Sequence, residues 1–321
     1  MKVYIKTPAR LQMGLIDLNG DLGRIFGGLG AGVDHPNVIL EATQSRELSV
    51  IGEKPDLVKA LAKQFLETYH VNTNVSLQVY QTIPEHVGLG SGTQLALAVA
   101  VALARLFNVK ATTQELAIVM GRGQRTSVGT TVFDKGGFVL DGGKMLKNKA
   151  AVSKFPPLIF HKSLPENWCF IIAIPNGDKG LYSDAEKAAF KQLSPMPVED
   201  VGRVCRLTMM KLLPSLIEHD IENFGEALTS IQSIIGDYFA KVQGGRYSSS
   251  AVANCIMYMQ QIGAFGVGQS SWGPTCYGLF KEADAKGARD KIQSFLRDSS
   301  GGQAFTAYPN NKGAYIKLTR Q

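Results

Sequence analysis

Several chemically informative patterns are missing from this sequence. Its four cysteines lie far apart and form neither a CxxC pair nor a zinc-binding spacing. We therefore expect them to be buried thiols in a reducing compartment. The longest apolar stretch, residues 95–104, is too short to span a bilayer, and the N-terminus has no signal-peptide core. These absences predict a cytoplasmic protein with no membrane partner.

Runs of basic residues are also missing. The net charge of +7 is spread over 321 residues, which predicts no nucleic-acid partner. A dispersed positive charge suits an enzyme that binds phosphorylated metabolites, and it equally suits an ordinary basic surface. Apolar residues make up 45% of the chain and charged residues 19%, as in globular proteins with large cores. The length predicts two domains.

Strand and helix patterns mix without a regular βαβ alternation, so the expected class is α+β. Residues 2–18 predict two short strands broken at Pro8. Residues 20–37 and 121–143 are rich in glycine and are predicted to be turn and loop regions, the second of which enters a strand at Gly137–Leu140. We place the domain boundary in the irregular stretch that follows, which gives the domains 1–155 and 156–321. Helical spacing in the second half predicts helices over Val198–Leu213, Leu216–Ala240, Ser249–Ile262 and Ala283–Leu296.

A glycine-serine loop, residues 84–93 (PEHVGLGSGT), joins a predicted strand to an alanine-rich run. The run alternates with the period of a strand, but alanine favours helix and the run is long, so we predict a buried helix. Glycines and a helix N-terminus together present unpaired N–H groups to an anion. Neither the Walker A pattern nor GxGxxG is present. A tight turn capped by Ser91 would explain the same residues, so spacing alone leaves both interpretations open.

The stretch PEHVGLGSGTQLALAVA resembles the phosphate loop of the GHMP kinase superfamily, P-x-x-x-G-L-G-S-S-A. Residues 7–37, 121–143 and 267–278 resemble one branch of it, the β-ribofuranosylaminobenzene 5′-phosphate synthases of methanopterin biosynthesis. These segments lie at both ends and in the middle of the chain. The resemblance implies a GHMP-kinase-like two-domain fold, with an N-terminal ribosomal-S5-like domain and a C-terminal ferredoxin-like domain.

The resemblance also implies a reaction, which is a decarboxylating C-ribosyl transfer. Phosphoribosyl pyrophosphate loses pyrophosphate at C1, 4-aminobenzoate or 4-hydroxybenzoate attacks through a ring carbon, and carbon dioxide leaves. Mg²⁺ is the expected cofactor, ATP is not expected, and the partners are small-molecule substrates. A homodimer is expected because that is the commonest assembly.

Departures from the kinase pattern favour the synthase over a kinase. Gly92 and Thr93 replace the second serine and the alanine of the kinase loop. The S-G-x-D segment of the kinases is replaced by SVGTTVF, with Thr130 and Thr131 near the aspartate position and Asp134 a few residues later. An ATP-dependent GHMP small-molecule kinase is the second hypothesis, and a non-catalytic ligand sensor on the same fold is the third.

The resemblance implies a phosphate or pyrophosphate cradle formed by Gly88, Leu89, Gly90, Ser91, Gly92 and Thr93. It leaves open which phosphate the loop holds. Asp17 and Arg24 are the catalytic candidates, and Asp17 and Ser91 are candidate Mg²⁺ ligands. Arginine can clamp a phosphate or a carboxylate, although surface salt bridges are its usual fate. Arg122 and Arg125 are weaker candidates of this kind.

Substrate-binding candidates come from both ends of the chain. They are Arg10, Asn19, Gln269, Ser270, Ser271 and Trp272. An aromatic ring such as that of Trp272 can pack on a benzoate, and a core role explains it nearly as well. Asn19, Gln269, Ser270 and Ser271 also fit turns, and the alternative for Arg10 is a surface salt bridge.

Overall fold

The computed structural model describes residues 1–146, 155–177, 180 and 183–319. Within them the strands are β1 Lys2–Lys6, β2 Ala9–Asp17, β3 Arg24–Val33, β4 Ile39–Ser45, β5 Ser49–Gly52, β6 Asn74–Gln81, β7 Phe138–Asp141, β8 Lys144–Met145, β9 Leu158–Lys162, β10 Trp168–Pro175, β11 Gly266–Gln269, β12 Cys276–Lys281, β13 Gly302–Ala307 and β14 Tyr315–Thr319. The helices are α1 Pro55–Thr68, α2 Ser91–Leu106, α3 Thr113–Val119, α4 Val128–Lys135, α5 Ser183–Gln192, α6 Val198–Leu207, α7 Leu213–Glu218, α8 Ile221–Gln243, α9 Ser250–Gln261 and α10 Ala285–Asp298. A π-helical turn, Thr208–Leu212, joins α6 to α7.

Three sheets organise the molecule. The first has the order β14-β1-β4-β6-β5, the second β2-β3-β7-β9 with β8 paired to β3, and the third β11-β12-β10-β13. Helices α1 and α2 pack together, and α2 lies against β1 and β4, while α9 and α10 cover the third sheet. The α+β class predicted from the sequence is confirmed. One large apolar core includes residues of both halves of the chain, such as Leu97 and Phe224.

Two strands from beyond residue 156 belong to sheets of the first half. Strand β9 pairs antiparallel with β7, and the last strand, β14, returns to pair with β1. The chain therefore crosses between its halves more than once, and the division into residues 1–155 and 156–321 does not follow the sheets.

The glycine-rich stretch 20–37, predicted to be a turn region, contains the ten-residue strand β3 and forms turns only on either side of it. Strand β3 lies between β2 and β7. A Cβ atom added at Gly30 would come within 2.5 Å of both the Leu11 carbonyl oxygen and a methyl carbon of Val128. Glycine is needed here because neighbouring backbone and α4 approach closely, not because the chain turns. The stretch 121–143, also predicted as loop, contains α4.

Helix α2 confirms the predicted buried helix. Its residues from Gln94 to Ala104 are all buried, so the large side chains at every second position touch neighbours on all sides. None of the described helices is long and apolar enough to cross a membrane. Because β6 precedes the loop and α2 follows it, the loop lies at the point where strand gives way to helix.

The second-half helices differ from prediction at two places. The predicted helix Val198–Leu213 is interrupted by the π-helical turn, and α8 begins only at Ile221. The Asp220 side chain accepts a hydrogen bond from the Asn223 N–H and starts α8 there. Helix α5, which the sequence analysis did not predict, follows β10 and contributes side chains to the site described below.

Candidate active site

The loop before α2 leaves backbone donors free. Gly88 and Gly90 have φ angles of 91° and 78°, a left-handed backbone that glycine adopts without strain. Gly90 is the N-cap of α2 and provides no side-chain acceptor. Within the described part of the chain, no protein acceptor bonds the N–H groups of Leu89, Gly90, Ser91 or Gly92. Four donors and the positive end of a helix dipole are therefore available to an anion.

The carbonyl oxygens of Val87, Gly88 and Leu89 in the same loop are held by protein donors. The Ser270 hydroxyl donates to the Gly88 oxygen at 2.7 Å, and Arg10 Nη1 donates to it at 3.3 Å. The Arg10 N–H donates to the Leu89 oxygen at 3.1 Å, and the Thr275 N–H donates to the Val87 oxygen at 3.2 Å. Strand β2 and the turn between β11 and β12 thus fix the loop from two sides.

Two guanidinium groups flank the loop. A Cβ at Gly90 would lie 3.2 Å from Arg10 Cβ, and a Cβ at Gly92 would lie 3.3 Å from Arg122 Nη1. The buried Nε atoms of Arg10 and Arg122 have no hydrogen-bond partner among the described residues. Burial lowers the pKa of Arg10 to about 10 against the opposing effect of Glu186, so the group stays charged at neutral pH. Unpaired buried donors beside free amides are typical of an anion site.

A cavity of about 160 Å³ is lined in part by Arg10, the residue that also contacts the loop. Three aromatic rings, those of Phe190, Phe239 and Trp272, form one wall. The Trp272 and Phe239 centroids are 4.8 Å apart, and Phe190 lies 5.6 Å from Trp272, all in edge-on arrangements. The cavity therefore offers an apolar wall of mutually edge-on aromatic rings next to cationic groups, which suits an aromatic anion.

Ion pairs hold the other charged groups of this cavity. The Arg125 guanidinium lies 4.8 Å from the Phe190 ring centroid and pairs with Glu186 at 2.6 Å. The Trp272 Nε1–H donates to the same Glu186 oxygen at 3.0 Å. Arg246, also in the lining, pairs with Asp237 at 2.7 Å. Glu186 thus joins α5 to Trp272 and to the segment before α4.

The predicted residues 269–272 all lie at this site, but with different tasks. The Gln269 amide accepts from the Ser248 N–H at 2.7 Å and donates to the Ser271 oxygen at 3.0 Å, so it orders the turn. Ser270 is fully buried and links the Gln12 N–H to the loop. Ser271 and Trp272 face the cavity.

Asp17, Asn19 and Arg24 lie outside this cavity lining. The Asp17 carboxylate accepts from the N–H groups of Asn19 and Gly20 at 2.8 and 2.9 Å and so stabilises the turn after β2. The Asn19 amide donates to the Met196 oxygen at 2.6 Å. Arg24 donates to the oxygens of Gly142 and Gly143 at 2.6 and 2.9 Å.

Strand β2 separates Asp17 from the phosphate loop. Asp17 ends this strand, and Arg10, which contacts the loop, stands near its start. Seven residues of strand correspond to roughly 20 Å. The two candidate Mg²⁺ ligands, Asp17 and Ser91, therefore lie near opposite ends of β2, and their role as ligands stays a prediction. The described residues contain no group of three or more His, Cys, Asp or Glu side chains placed to hold a metal.

The residues at the kinase aspartate position line a different cavity. Thr130, Thr131 and Asp134 border a space of about 300 Å³ beside Phe155. The Asp134 carboxylate accepts from the Thr113 hydroxyl at 2.7 Å on the protein surface. Of the described residues that line the aromatic cavity, Glu186 is the one carboxylate, and it belongs to α5.

The fold and the phosphate loop define a member of the GHMP kinase superfamily. The profile of the GHMP kinases N terminal domain matches residues 56–140, and that of the C terminal domain matches residues 212–298. A homoserine kinase from Cytophaga hutchinsonii has the same fold, with a TM-score of 0.70 at 16% identity over 98% of this chain and 97% of that one.

Full-length relatives narrow the family further. The chain is 33% identical to β-ribofuranosylphenol 5′-phosphate synthase of Archaeoglobus fulgidus over 98% of this chain and 99% of the relative. It is 32% identical to the Methanothermobacter thermautotrophicus enzyme of that name, with the same coverage. The protein belongs to the β-ribofuranosylphenol 5′-phosphate synthase family, a family of transferases. This confirms the branch that the sequence motifs indicated.

Proposed function

We propose that the protein transfers a phosphoribosyl group from phosphoribosyl pyrophosphate to a 4-substituted benzoate, with loss of pyrophosphate and carbon dioxide. The product is a β-ribofuranosyl-arene 5′-phosphate for tetrahydromethanopterin biosynthesis. One observation carries the proposal: Arg10 touches the donor-rich loop and also lines the aromatic cavity. A phosphorylated sugar and an aromatic anion can therefore meet at one place.

The bond changes match the two halves of this site. The bond from ribose C1 to the pyrophosphate oxygen breaks, and the leaving group takes the electron pair. The ring carbon that bears the carboxylate bonds to C1, and the C–CO₂ bond then breaks and restores the aromatic ring. No proton is gained or lost overall. The loop donors stabilise the charge that develops on the leaving oxygens, and the aromatic wall holds the ring against C1.

The acceptor we propose is 4-hydroxybenzoate. The names of the archaeal relatives describe a phenol product, whereas the motif resemblance implied an aminobenzene. A phenol product requires a hydroxyl on the acceptor. The cavity presents arginines to a carboxylate or a phenolate and Glu186 to a hydroxyl proton.

Mg²⁺ is proposed to bind the site as a complex with the phosphate groups of phosphoribosyl pyrophosphate. Mg²⁺ prefers oxygen ligands and keeps several waters, so phosphate oxygens and the Ser91 or Thr93 hydroxyl form a suitable donor set. When bound, it would neutralise charge on the pyrophosphate. Asp17 and Arg24 remain proposed catalytic residues, and their place outside the cavity lining makes their contribution the part of the proposal that needs a direct test. A cytoplasmic homodimer that does not use ATP is proposed on the same family grounds.

The test is incubation with phosphoribosyl pyrophosphate, Mg²⁺ and 4-hydroxybenzoate, with parallel reactions on 4-aminobenzoate. Release of carbon dioxide and pyrophosphate is expected without ATP. ATP consumption with an alcohol acceptor, and no carbon dioxide, would identify a kinase instead. Binding of both substrates without turnover would identify a ligand sensor.

A further inference from the structure

The backbone of Arg122 helps to end α3, but this role does not explain where its guanidinium lies. Its N–H donates to the Ala117 oxygen at 2.7 Å at the end of α3, and its guanidinium lies over Gly92 in the first turn of α2. Burial lowers its pKa, and no carboxylate among the residues that the structure describes opposes that effect. The neighbouring Arg125 and Arg246 each have a carboxylate partner. A buried charge without a partner destabilises a protein unless a ligand supplies the opposite charge.

Gly92 makes room for this guanidinium. The kinase loop has a serine here, and a Cβ at Gly92 would already lie 3.3, 3.7 and 3.8 Å from Arg122 Nη1, Cζ and Nη2. A serine hydroxyl would add a further atom to that contact. The departure of this loop from the kinase pattern is therefore linked to an arginine placed over the helix N-terminus.

We propose that Arg122 and Arg10 bind the pyrophosphate group of phosphoribosyl pyrophosphate over the first turn of α2. The 5′-phosphate then binds on the cavity side. This assignment rests on the proposed function and answers which phosphate the loop holds. Pyrophosphate carries more charge than a phosphate monoester, and the loop combines two guanidiniums outside ion pairs with four free N–H donors. Arg125 and Arg246, on the cavity side, are already neutralised.

The role of Arg122 is thus to bind the leaving group. As the bond to ribose C1 breaks, negative charge grows on the pyrophosphate, and a fixed guanidinium beside it stabilises that charge without reorganisation. Arg10 reaches the same group from the cavity side. Arg10 contacts the loop and also lines the cavity, whereas Arg122 contacts the loop but is not in the cavity lining. Replacing Arg122 should therefore affect pyrophosphate binding and leave the cavity unchanged.

The experiment measures two affinities by calorimetry with Mg²⁺ present: that for inorganic pyrophosphate and that for ribose 5-phosphate. Arg122→Gln is expected to weaken pyrophosphate binding at least tenfold, the loss of one charge-assisted contact. Ribose 5-phosphate affinity should stay within about twofold. Arg105→Gln, which removes an exposed arginine at the other end of α2, is the matched control and should leave both affinities unchanged. Weakened ribose 5-phosphate binding with unchanged pyrophosphate binding would overturn the assignment, as would no change in either.

Unfolding in urea without ligand separates binding from folding. Arg122→Gln is expected to be at least as stable as the wild-type protein, because it removes a partly buried charge that has no ion-pair partner among the described residues. A clear loss of stability would make Arg122 a structural residue and contradict the proposal. Gly92→Ser, which crowds the guanidinium, should weaken pyrophosphate binding in the same direction. None of these measurements needs turnover, so they remain decisive even if the proposed reaction is not observed.

Discussion

The Ser270 hydroxyl joins the two halves of the site, because it donates to the Gly88 oxygen at 2.7 Å and accepts from the Gln12 N–H at 2.9 Å. Gly88 and Ser270 are 182 positions apart in the chain. Gly88 approaches so closely that a Cβ there would lie 2.2 Å from the Ser270 carbonyl oxygen. The shape of the phosphate loop therefore depends on the C-terminal half.

Replacing Ser270 by alanine tests this dependence. Ser270→Ala leaves the Gln12 N–H and the Gly88 oxygen without their shared partner. The free energy of unfolding should fall by about 1–3 kcal/mol, and KM for phosphoribosyl pyrophosphate should rise because the loop loses an anchor. Urea unfolding and steady-state kinetics measure the two effects. Ser250→Ala, at an exposed position in the first turn of α9, is the control and should change neither, because the Ser250 hydroxyl makes no hydrogen bond to the described residues. A Ser270→Ala protein with normal stability would show that the link is unimportant.

Gly90 can be tested by a substitution that fills the cradle. Gly90→Asp adds bulk 3.2 Å from Arg10 Cβ and places a negative charge where the anion is expected. Binding of phosphoribosyl pyrophosphate should be lost in calorimetry. Gly263→Asp is the matched control, since Gly263 also has a left-handed φ of 97° but faces open space. Both variants bear the same backbone strain of about 1–3 kcal/mol, so only the first should lose the ligand. Unchanged affinity in Gly90→Asp would refute the phosphate loop.

Trp272 is expected to hold the aromatic acceptor. Trp272→Ala removes one ring of the cavity wall, and KM for 4-hydroxybenzoate should rise about tenfold, while KM for phosphoribosyl pyrophosphate changes little. Trp272→Phe keeps a ring but loses the donor to Glu186, so its effect should be smaller. Equal rises in both KM values for Trp272→Ala would indicate a general packing role instead.

Asp17 offers a test of a residue outside the cavity lining. Asp17→Asn keeps the oxygen that accepts from the Asn19 and Gly20 N–H groups, so the turn and the melting temperature should be preserved. Turnover should fall about tenfold or more if the carboxylate charge serves the reaction. Wild-type turnover would remove Asp17 from the catalytic residues and leave it as a turn-forming one.

Local sequence patterns predicted most helices and strands. They failed where contacts with distant parts of the chain determine the secondary structure. Alanine content correctly identified α2 despite its strand-like alternation. Strand β3 was missed because its glycines indicate turns locally, whereas close packing against Leu11 and Val128 requires them in a strand. Helix α4 was missed because the glycines in and around it also indicate turns locally.

The parts of the site that are formed by short sequence motifs could be predicted from the sequence. The parts that are formed by side chains distant in the sequence could not. The loop Gly88–Thr93 and the turn residues Gln269–Trp272 were found from motifs. Glu186 and Phe190 carry no local signal, since an acidic, alanine-rich segment is typical of any exposed helix. Their place in the cavity depends on α5 folding back against Trp272.

The most direct measurement uses 4-hydroxybenzoate labelled with ¹³C in its carboxylate, together with phosphoribosyl pyrophosphate and Mg²⁺. The proposed reaction yields labelled carbon dioxide and pyrophosphate in equal amounts, and one product with a carbon–carbon bond between the ring and ribose C1, all without ATP. A product that keeps the labelled carboxylate, or any turnover that requires ATP, would contradict it.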